Sequence, residues 1–485
     1  MAVASGTCPS CGAPIEFGVG SSIAKVCEYC QATVCRSDRG LENLGKVAEI
    51  ANVPSLIAVG DSGTLSGRAF TVMGRVQLDH GAGPWDEYYV TFDHGATWGW
   101  IAYAEGQWIV TSLAPGHAVP AYGSLAPEQD ITLGELGSFR VSEVRQATIV
   151  SAEGELPAAV PPGAVRYYAD CFGINNAYAT LDYGDMEGGG YEVFAGSVIA
   201  ETELQVTQAG PRSTERIKTK HIQCPNCGGE VPKLNGDRAT RLGCPYCGAV
   251  SDITLQQVVA QQEKLMTTPD IPIGATGSFD GVNYICIAYM RRGSDYDGDH
   301  FSWEEYLLFS AGIGYRWLVK DEKSWVWSLP VNLAEVDMQG LPQHAGWSGK
   351  KYPIRNRSDA TIEYVLGELY WKAAIGDRSQ VLDFQKGVET LSREAGGGEV
   401  RWSYSANVPW AVVAEGFQLD VDGPGGEFIQ AAGTGWNEGE DGELVSQVVV
   451  LIIILVLLLV CCNSCGGCGY RSSGVYFGGG YYGGK

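Results

Sequence analysis

The chain has 485 residues, a length that suits two or more domains and is too great for one compact core. Hydrophobic residues make up 45% and charged residues 18%, with 66 Gly and 13 Trp; this excludes a disordered chain and favours β-rich domains with glycine turns. The formal net charge of -23 argues against a nucleic-acid partner, because such binding needs Lys and Arg to displace the counterions of the phosphates.

The chain begins with two Cys-x-x-Cys pairs separated by 15 residues: Cys8 with Cys11, and Cys27 with Cys30. Each pair supplies two thiolates from one tight turn, and this spacing is typical of a tetrahedral zinc site. Two disulfides or a redox-active pair are the alternatives, although a thioredoxin-type motif needs a βαβ setting and only one pair. Four thiolates leave no open coordination position, so the predicted zinc is structural.

The segment after these cysteines predicts a short helix and then a series of strands. Apolar residues recur at roughly helical spacing over residues 41–50, and short runs at 68–76, 88–92, 99–103 and 108–112 are separated by turn residues. No run is followed by a crossover of helix length, so the strands are expected to be antiparallel. The predicted fold class is therefore mainly β, with a small antiparallel barrel or sandwich in each module.

A second copy of the same pattern starts 216 positions after Cys8. Downstream, Trp85-Asp-Glu-Tyr88 corresponds to Trp303-Glu-Glu-Tyr306, and Gly154-Glu-Leu156 corresponds to Gly367-Glu-Leu369. One module is therefore used twice, with a second helix predicted at 255–266 and a second structural zinc ion. The second set of cysteines, with 16 residues between its pairs, is Cys224, Cys227, Cys244 and Cys247.

The repeat and the composition shifts predict eight consecutive segments. They are zinc ribbon 1 (1–40), β-rich module 1 (41–209), a linker (210–220), zinc ribbon 2 (221–254), β-rich module 2 (255–415), an acidic Gly-rich linker (416–443), a transmembrane helix (444–462) and a Gly/Tyr/Cys-rich tail (463–485).

The transmembrane prediction rests on an apolar run that only Ser446 and Gln447 interrupt. Its 19 residues would span about 28 Å as a helix, close to the ~30 Å hydrocarbon core, and a strand rarely exceeds ten residues. The N-terminal sequence lacks the basic segment followed by an apolar segment that marks an export signal. We therefore expect a single-pass anchor with the bulk of the chain in the cytosol. Four cysteines beside the bilayer could be acylated, disulfide-linked or metal-bound: Cys461, Cys462, Cys465 and Cys468.

The sequence shows no catalytic constellation. None of the six histidines lies in a known metal pattern, and no nucleophile elbow or phosphate loop is present, which favours a non-enzymatic role. The glycines at 396–398 predict a hairpin turn. Matched tryptophans in the two copies are either core residues or a groove for a peptide or a cation: Trp85, Trp100, Trp108, Trp303, Trp317 and Trp325.

The cysteine pairs, the Val-Gly-Asp turn at 59–61, the Trp-x-Glu-Tyr strands and the Gly-Glu-Leu turns together resemble the bacterial domain of unknown function four-one-seven-eight. The resemblance covers most of the chain in two copies. It implies zinc-ribbon proteins with β-rich domains, often with a C-terminal helix and a Gly-rich tail, and it implies no particular reaction.

We therefore expect a membrane-tethered, non-enzymatic adaptor or scaffold whose duplicated modules bind a protein partner. The alternative is a sensor or enzyme that acts on a cationic small molecule such as a polyamine, suggested by aromatic residues among acidic ones and by polyamine-related neighbours that the resemblance implies. Nucleic acid is not expected, since the best basic segment, 212–220, is short. Formation of a homo-oligomer stays open.

Overall fold

The computed structural model describes residues 5–37, 40–46, 57–81, 84–104, 107–186, 190–209, 221–234, 239–253, 256–263, 269–279, 281–296, 298–310, 314–321, 324–338 and 343–422. This part of the chain is built from β-strands with short 3-10 turns and one α-helix. The mainly β prediction is confirmed.

The two cysteine-rich segments, cysteine unit 1 (5–46) and cysteine unit 2 (221–261), each contain five short strands. In unit 1 they are β1 (Ser5–Thr7), β2 (Pro14–Glu16), β3 (Ala24–Val26), β4 (Ala32–Ser37) and β5 (Gly40–Lys46). In unit 2 they are β17 (His221–Gln223), β18 (Glu230–Pro232), β19 (Arg241–Gly243), β20 (Ala249–Asp252) and β21 (Gln257–Gln261).

The helices predicted at 41–50 and 255–266 are wrong where the structure describes these segments. Strand β5 pairs with β4 and strand β21 pairs with β20, both antiparallel. Each segment lies beside a strand whose N–H and C=O groups need partners, and pairing with that strand satisfies both backbones. Apolar spacing over about ten residues is a weak signal, and this tertiary contact overrides it.

The remaining strands form module 1 (57–209) and module 2 (269–422). Module 1 contains β6 (Ser62–Leu65), β7 (Arg68–Asp79), β8 (Pro84–Phe92), β9 (Thr97–Ala104), β10 (Gln107–Leu113), β11 (Asp130–Thr132), β12 (Ser138–Leu156), β13 (Val165–Gly173), β14 (Ala177–Asp182), β15 (Glu192–Ile199) and β16 (Leu204–Thr207). Module 2 contains β22 (Thr276–Phe279), β23 (Val282–Tyr296), β24 (Asp299–Ser310), β25 (Gly314–Lys320), β26 (Trp325–Val331), β27 (His344–Trp347), β28 (Lys350–Leu369), β29 (Arg378–Lys386), β30 (Glu389–Gly396), β31 (Glu399–Val408) and helix α1 (Trp410–Phe417).

The strand pairings of each module return to the strand from which they start. In module 1 the antiparallel order is β7, β8, β9, β10, β15, β14, β13 and β12, and β12 pairs again with β7. Module 2 repeats it as β23, β24, β25, β26, β31, β30, β29 and β28, which pairs with β23. A cycle leaves none of its eight strands with a free edge.

The matched tryptophans divide into two groups. Trp108 and Trp325 are each only 1% exposed and belong to the hydrophobic cores of their modules. The core interpretation is therefore confirmed for this pair, whereas Trp85, Trp100, Trp303 and Trp317 are half-buried.

The two modules differ in what covers the short strand before the cycle. In module 1, β16 pairs with β6. In module 2, α1 packs against β22, with the Phe417 ring 5.6 Å from that of Phe279.

Within the described part of the chain no helix is both long and apolar enough to cross a bilayer. The predicted membrane helix (444–462), the tail (463–485), the linker at 210–220 and residues 423–443 of the acidic linker lie outside the described residues.

The two modules share an interface of hydrophobic and ionic contacts. One core cluster combines Ile109 and Phe172 of module 1 with residues of module 2 such as Val331. The carboxylate of Glu128 in module 1 accepts hydrogen bonds of 2.8 and 2.6 Å from the Arg393 guanidinium and one of 3.2 Å from the Trp402 indole N–H, both in module 2. Such bidentate, charge-assisted contacts fix orientation as well as adding energy.

Replacing Glu128 with Gln is expected to lower the free energy of unfolding by about 2 kcal/mol, because the largely buried Arg393 loses its counter-charge. Urea denaturation of the full-length chain measures this change. Asp93→Asn is the matched control, since the Arg68–Asp93 pair is about half exposed and its loss should cost well under 1 kcal/mol. Equal losses in the two variants would contradict the role given to Glu128.

Candidate metal centres and interior charge clusters

Each Cys-x-x-Cys pair forms the same tight backbone turn. The carbonyl oxygen of the first cysteine accepts a hydrogen bond from the N–H of the fourth residue after it, as in Gly12 to Cys8 (2.8 Å) and Gly228 to Cys224 (2.8 Å). That residue has a left-handed backbone, which favours glycine. Its φ is 78° at Gly12, 62° at Gln31, 72° at Gly228 and 72° at Gly248.

These turns bring the eight predicted cysteine ligands into two clusters of four. In unit 1 the sulfur atoms of Cys8 and Cys30 are 3.7 Å apart, as are those of Cys11 and Cys27. In unit 2 the corresponding distances are 3.7 Å for Cys224 with Cys247 and 3.8 Å for Cys227 with Cys244.

The sulfur spacing fits a tetrahedral metal ion. All four sulfurs of each cluster lie within 4.8 Å of one another. A tetrahedron with metal–sulfur bonds of about 2.3 Å has sulfur–sulfur edges of about 3.8 Å. Each cluster could therefore hold one metal ion, and four thiolates would complete its coordination sphere.

The fourth cysteine of each cluster has an environment that favours the thiolate. A hydrogen bond from the backbone N–H of Ala32 is the main cause that lowers the pKa of Cys30 to about 6. Burial raises the pKa of Cys247, but hydrogen bonds from the Asn226 side chain and the Ala249 backbone outweigh it and bring the pKa to about 7. The thiolate is the form that binds metals.

The Gly-Glu-Leu motifs join each cysteine unit to its module. At the end of β12, Glu155 and Leu156 pair with β3, and at the end of β28 the motif pairs with β19. The buried carboxylate of Glu155 accepts a 2.6 Å hydrogen bond from the N–H of Gly18. Glu368 accepts one of 2.5 Å from Leu234, and Gly18 and Leu234 both lie ten positions after the first cysteine of their unit.

The glycine of this motif is required by geometry. Gly154 has φ +73°, and a Cβ atom there would lie 2.4 Å from the carbonyl oxygen of Met73. Gly367 has φ +80° and the same close approach, 2.3 Å to the carbonyl oxygen of Ile287. Any larger residue would clash with the neighbouring strand in a conformation that L-residues rarely adopt.

Inside module 2 an arginine lies between two glutamates. The Arg292 guanidinium on β23 contacts Glu305 on β24 at 3.2 Å and Glu394 on β30 at 2.8 Å, and its side chain is 5% exposed. The indole N–H of Trp303 donates a 2.8 Å hydrogen bond to the same Glu305. A buried arginine is stable here because carboxylates on both sides compensate its charge.

Module 1 contains an equivalent cluster built with a different arginine. The indole N–H of Trp85 donates a 3.1 Å hydrogen bond to Glu87, whose pKa is raised by burial. Arg166 on β13 bonds Asp182 on β14 at 2.5 Å, and its charge also acts on Glu87.

The strand registers show how the two arginines are related. In module 1 Leu78 pairs with Trp85, and in module 2 Arg292 pairs with Trp303. Module 1 therefore has Leu78 at the position where module 2 has Arg292. In the same way, Arg166 pairs with Ala147 in module 1 and Ser379 pairs with Ala360 in module 2. Module 1 therefore has Arg166 where module 2 has Ser379.

The two modules therefore retain one cation and two carboxylates but supply the cation from different strands. The Trp-x-Glu-Tyr repeat was visible in the sequence, but this cluster was not predicted from it. The available signal was the Glu two residues after each Trp, which lies on the same face of the strand.

The fold and the two tetracysteine clusters define the class: a duplicated, mainly β protein whose modules each carry a candidate metal centre. The profile of the family described as domain of unknown function (DUF4178) matches residues 58–201 and 272–409, more than half of the chain. The chain belongs to this family, in two copies that coincide with most of modules 1 and 2. Comparison with curated proteins and with solved structures finds no match.

The arginine exchange can be tested by rebuilding the module 1 arrangement in module 2. Arg292→Leu should lower the free energy of unfolding by about 3 kcal/mol or more, because Glu305 and Glu394 lose their shared cation. Adding Ser379→Arg should recover most of that loss, since position 379 corresponds to Arg166. Urea denaturation of both variants checks this.

The control for this exchange is Arg291→Leu on the same strand. Arg291 is 43% exposed, so a loss well under 1 kcal/mol is expected. If Ser379→Arg brings no recovery in the Arg292→Leu background, the proposed equivalence of the two clusters is wrong.

Proposed function

We propose that this protein is a non-enzymatic adaptor: two zinc-binding cysteine units, each fixed to a small β-barrel, present a duplicated surface to a protein partner, and the predicted C-terminal helix tethers the chain to a membrane. The observation that carries the proposal is the pair of four-thiolate clusters. A zinc ion held by four thiolates has no position for water or substrate, so it stabilises a fold.

The zinc assignment is supported by the donor set and its spacing. Four thiolates at tetrahedral edge distances suit zinc, whereas magnesium and calcium require oxygen ligands. The strand cycle supports the barrel assignment, because closure of pairing around eight antiparallel strands is the property that distinguishes a barrel from an open sandwich.

The purified full-length chain is expected to contain two zinc ions, measured by elemental analysis of metal per chain. Cys8→Ser and Cys224→Ser should each reduce this to one, because loss of one thiolate opens one cluster and leaves the other intact. Cys35→Ser, outside both clusters, should retain two. Two ions retained after Cys8→Ser, or clusters filled by another metal, would overturn the assignment.

The adaptor role is supported by an exposed aromatic residue at the same place in both cysteine units. Tyr29 and Tyr246 occupy the third position of the second Cys-x-x-Cys turn and are 73% and 54% exposed. Tyrosine provides a large contact area with a polar end, and it is enriched in protein interfaces. Because hydrogen bonds and a shared hydrophobic cluster join the two modules, both tyrosines belong to one body with fixed geometry.

A photo-crosslinking residue placed at position 29 or 246 of the full-length chain in the native host is expected to capture the same protein at both positions, because the two surfaces are equivalent. Combining each probe with Cys8→Ser or Cys224→Ser in its own unit should abolish the product, since the turn loses its metal. Mass spectrometry of the adducts provides the readout.

Matched probes at the exposed Tyr191 and Tyr296, which are 46% and 67% exposed and lie outside the cysteine units, should not capture that protein. The adaptor proposal fails if positions 29 and 246 give no adduct, or only the adducts of the two control positions.

A further inference from the structure

Three largely buried carboxyl groups stand side by side where the two modules meet. Glu143 on β12 pairs with Asp170 on β13 and, on its other side, with Glu399 at the start of β31 in module 2. Direct partners in antiparallel pairing project from the same face, so these side chains form one row across the interface. Like charges placed opposite each other on neighbouring strands are destabilising, and the row therefore needs cations or protons to balance it.

Two arginines balance part of this row. Arg145 contacts Glu143 at 3.1 Å and Glu399 at 2.7 Å, and Arg401 contacts Glu399 at 2.7 Å. Asp170 forms no salt bridge with any residue that the structure describes. Three carboxyl groups thus share two cations, so one negative charge of the row would have no counter-charge if all three were ionised.

The other titratable groups around the row supply no further cation. His80 experiences the charge of both arginines, and it is neutral because burial lowers its pKa to about 4. Lys372 is held by Asp79 at 2.7 Å, and Arg166 is held by Asp182. The remaining neighbours are acids or phenols: Glu87, Tyr168 and Tyr178.

Module 2 has the same aspartate with a different neighbour. In module 1 Glu143 pairs with Asp170, and in module 2 Asn356 pairs with Asp383; the same register shift precedes both pairs. A side-chain hydrogen bond joins the two members of each pair. An amide can donate to the Asp383 carboxylate, whereas an ionised carboxylate only accepts. The equivalent bond between Glu143 and Asp170 therefore requires a proton on one of them.

Burial favours the protonated form of both groups. It raises the pKa of Glu143 from its usual 4.5 to about 7 and that of Asp170 from 3.8 to about 6. The negative charge of Asp170 raises the pKa of Glu143 further, against the opposing effect of Arg145. Two carboxyl groups that interact this closely titrate as a pair. The pair thus binds a proton in a pH range in which the unfolded chain has already released it.

We propose that Glu143 and Asp170 share one proton, and that this proton makes the contact between the two modules sensitive to pH. With the proton bound, Glu143 takes the role that Asn356 has in module 2, and Arg145 is left to Glu399 across the interface. Once the proton is released, Glu143 becomes a second anion beside Asp170 and competes with Glu399 for Arg145. The interface is therefore tighter below neutral pH than above it. The adaptor role does not require this property.

The first test is urea denaturation of the full-length chain and of Glu143→Gln over about pH 5 to 8. Because the pKa of Glu143 is higher in the native state, that state binds more protons between about pH 4.5 and 7, and the parent chain loses stability as pH rises through this range. The new amide donates to Asp170 at every pH. The folded-to-unfolded ratio of the variant, relative to the parent, should therefore increase at least tenfold from about pH 5 to pH 7 and change little above it.

Asp170→Asn separates the pair from the other side and tests it independently of Glu143→Gln. It should reduce the pH dependence of the urea midpoint over the same range. Glu153→Gln is the matched control on the same strand, since the Glu153 side chain is 53% exposed, and its pH profile should follow that of the parent.

Hydrogen exchange measures the interface itself. The N–H of Val144 donates a 3.1 Å hydrogen bond to the carbonyl oxygen of Gly398 in module 2. After correction for the intrinsic effect of pH, the peptide containing this amide should exchange about tenfold faster at pH 8 than at pH 5 in the parent chain, and at similar rates in Glu143→Gln.

Three results would overturn the proposal. The first is a stability difference between Glu143→Gln and the parent that does not change with pH. The second is a difference that turns against the variant as pH rises, as expected of an ionised Glu143 that only pairs with Arg145. The third is equal corrected exchange of the Val144 peptide at both pH values in the parent chain.

Discussion

The continuation of one long strand out of each module into its cysteine unit is the constraint on which the rest of the structure depends. β12 has 19 residues and β28 has 20; each pairs within its own cycle and then, at its final residues, with a strand of the cysteine unit. Gly154 and Gly367 allow the close approach of strands at this point, and the following glutamate accepts a backbone N–H from the cysteine unit. Backbone hydrogen bonds thus fix the position of each tetracysteine cluster.

Charge balance is the second constraint, and it acts on the cluster as a whole. Leu78 and Arg166 in module 1 stand where module 2 has Arg292 and Ser379, so a cation lost on one strand is supplied by another. A buried arginine without carboxylates, or two buried carboxylates without a cation, would each be strongly destabilising. The paired exchange keeps the charge compensated while the residues at both positions differ.

Much of the fold could be predicted from the sequence because the signals were local and repeated. The two clusters of four cysteines, the duplication and the antiparallel strands each follow from spacing or turn chemistry, and the predicted turn at 396–398 joins β30 to β31 with Gly397 and Gly398 at positive φ. The helices predicted at 41–50 and 255–266 were wrong over the described residues of these segments, because pairing with β4 and β20 makes those residues strands.

Other features were missed for identifiable reasons. Helix α1 had a usable signal, since the buried positions Trp410, Val413, Ala414 and Phe417 have helical spacing after Pro409. The module interface had none, because its members come from strands far apart in the chain, and for the arginine clusters the sequence marked only the Trp and the Glu two residues after it, not the distant strand that supplies the cation. Glu128 and Arg393, for example, are separated by 265 positions.

The distribution of charge bears on what the proposed adaptor surface can bind. Interior and interface arginines, including Arg292, Arg393 and Arg145, are held by carboxylates, and each such pair cancels within the protein. Such pairs contribute nothing to the net charge of -23, which comes from the excess of carboxylates elsewhere in the chain. A field of this sign repels phosphate-rich partners and speeds association with basic surfaces. We therefore expect the proposed protein partner to present a basic face to the two exposed tyrosines.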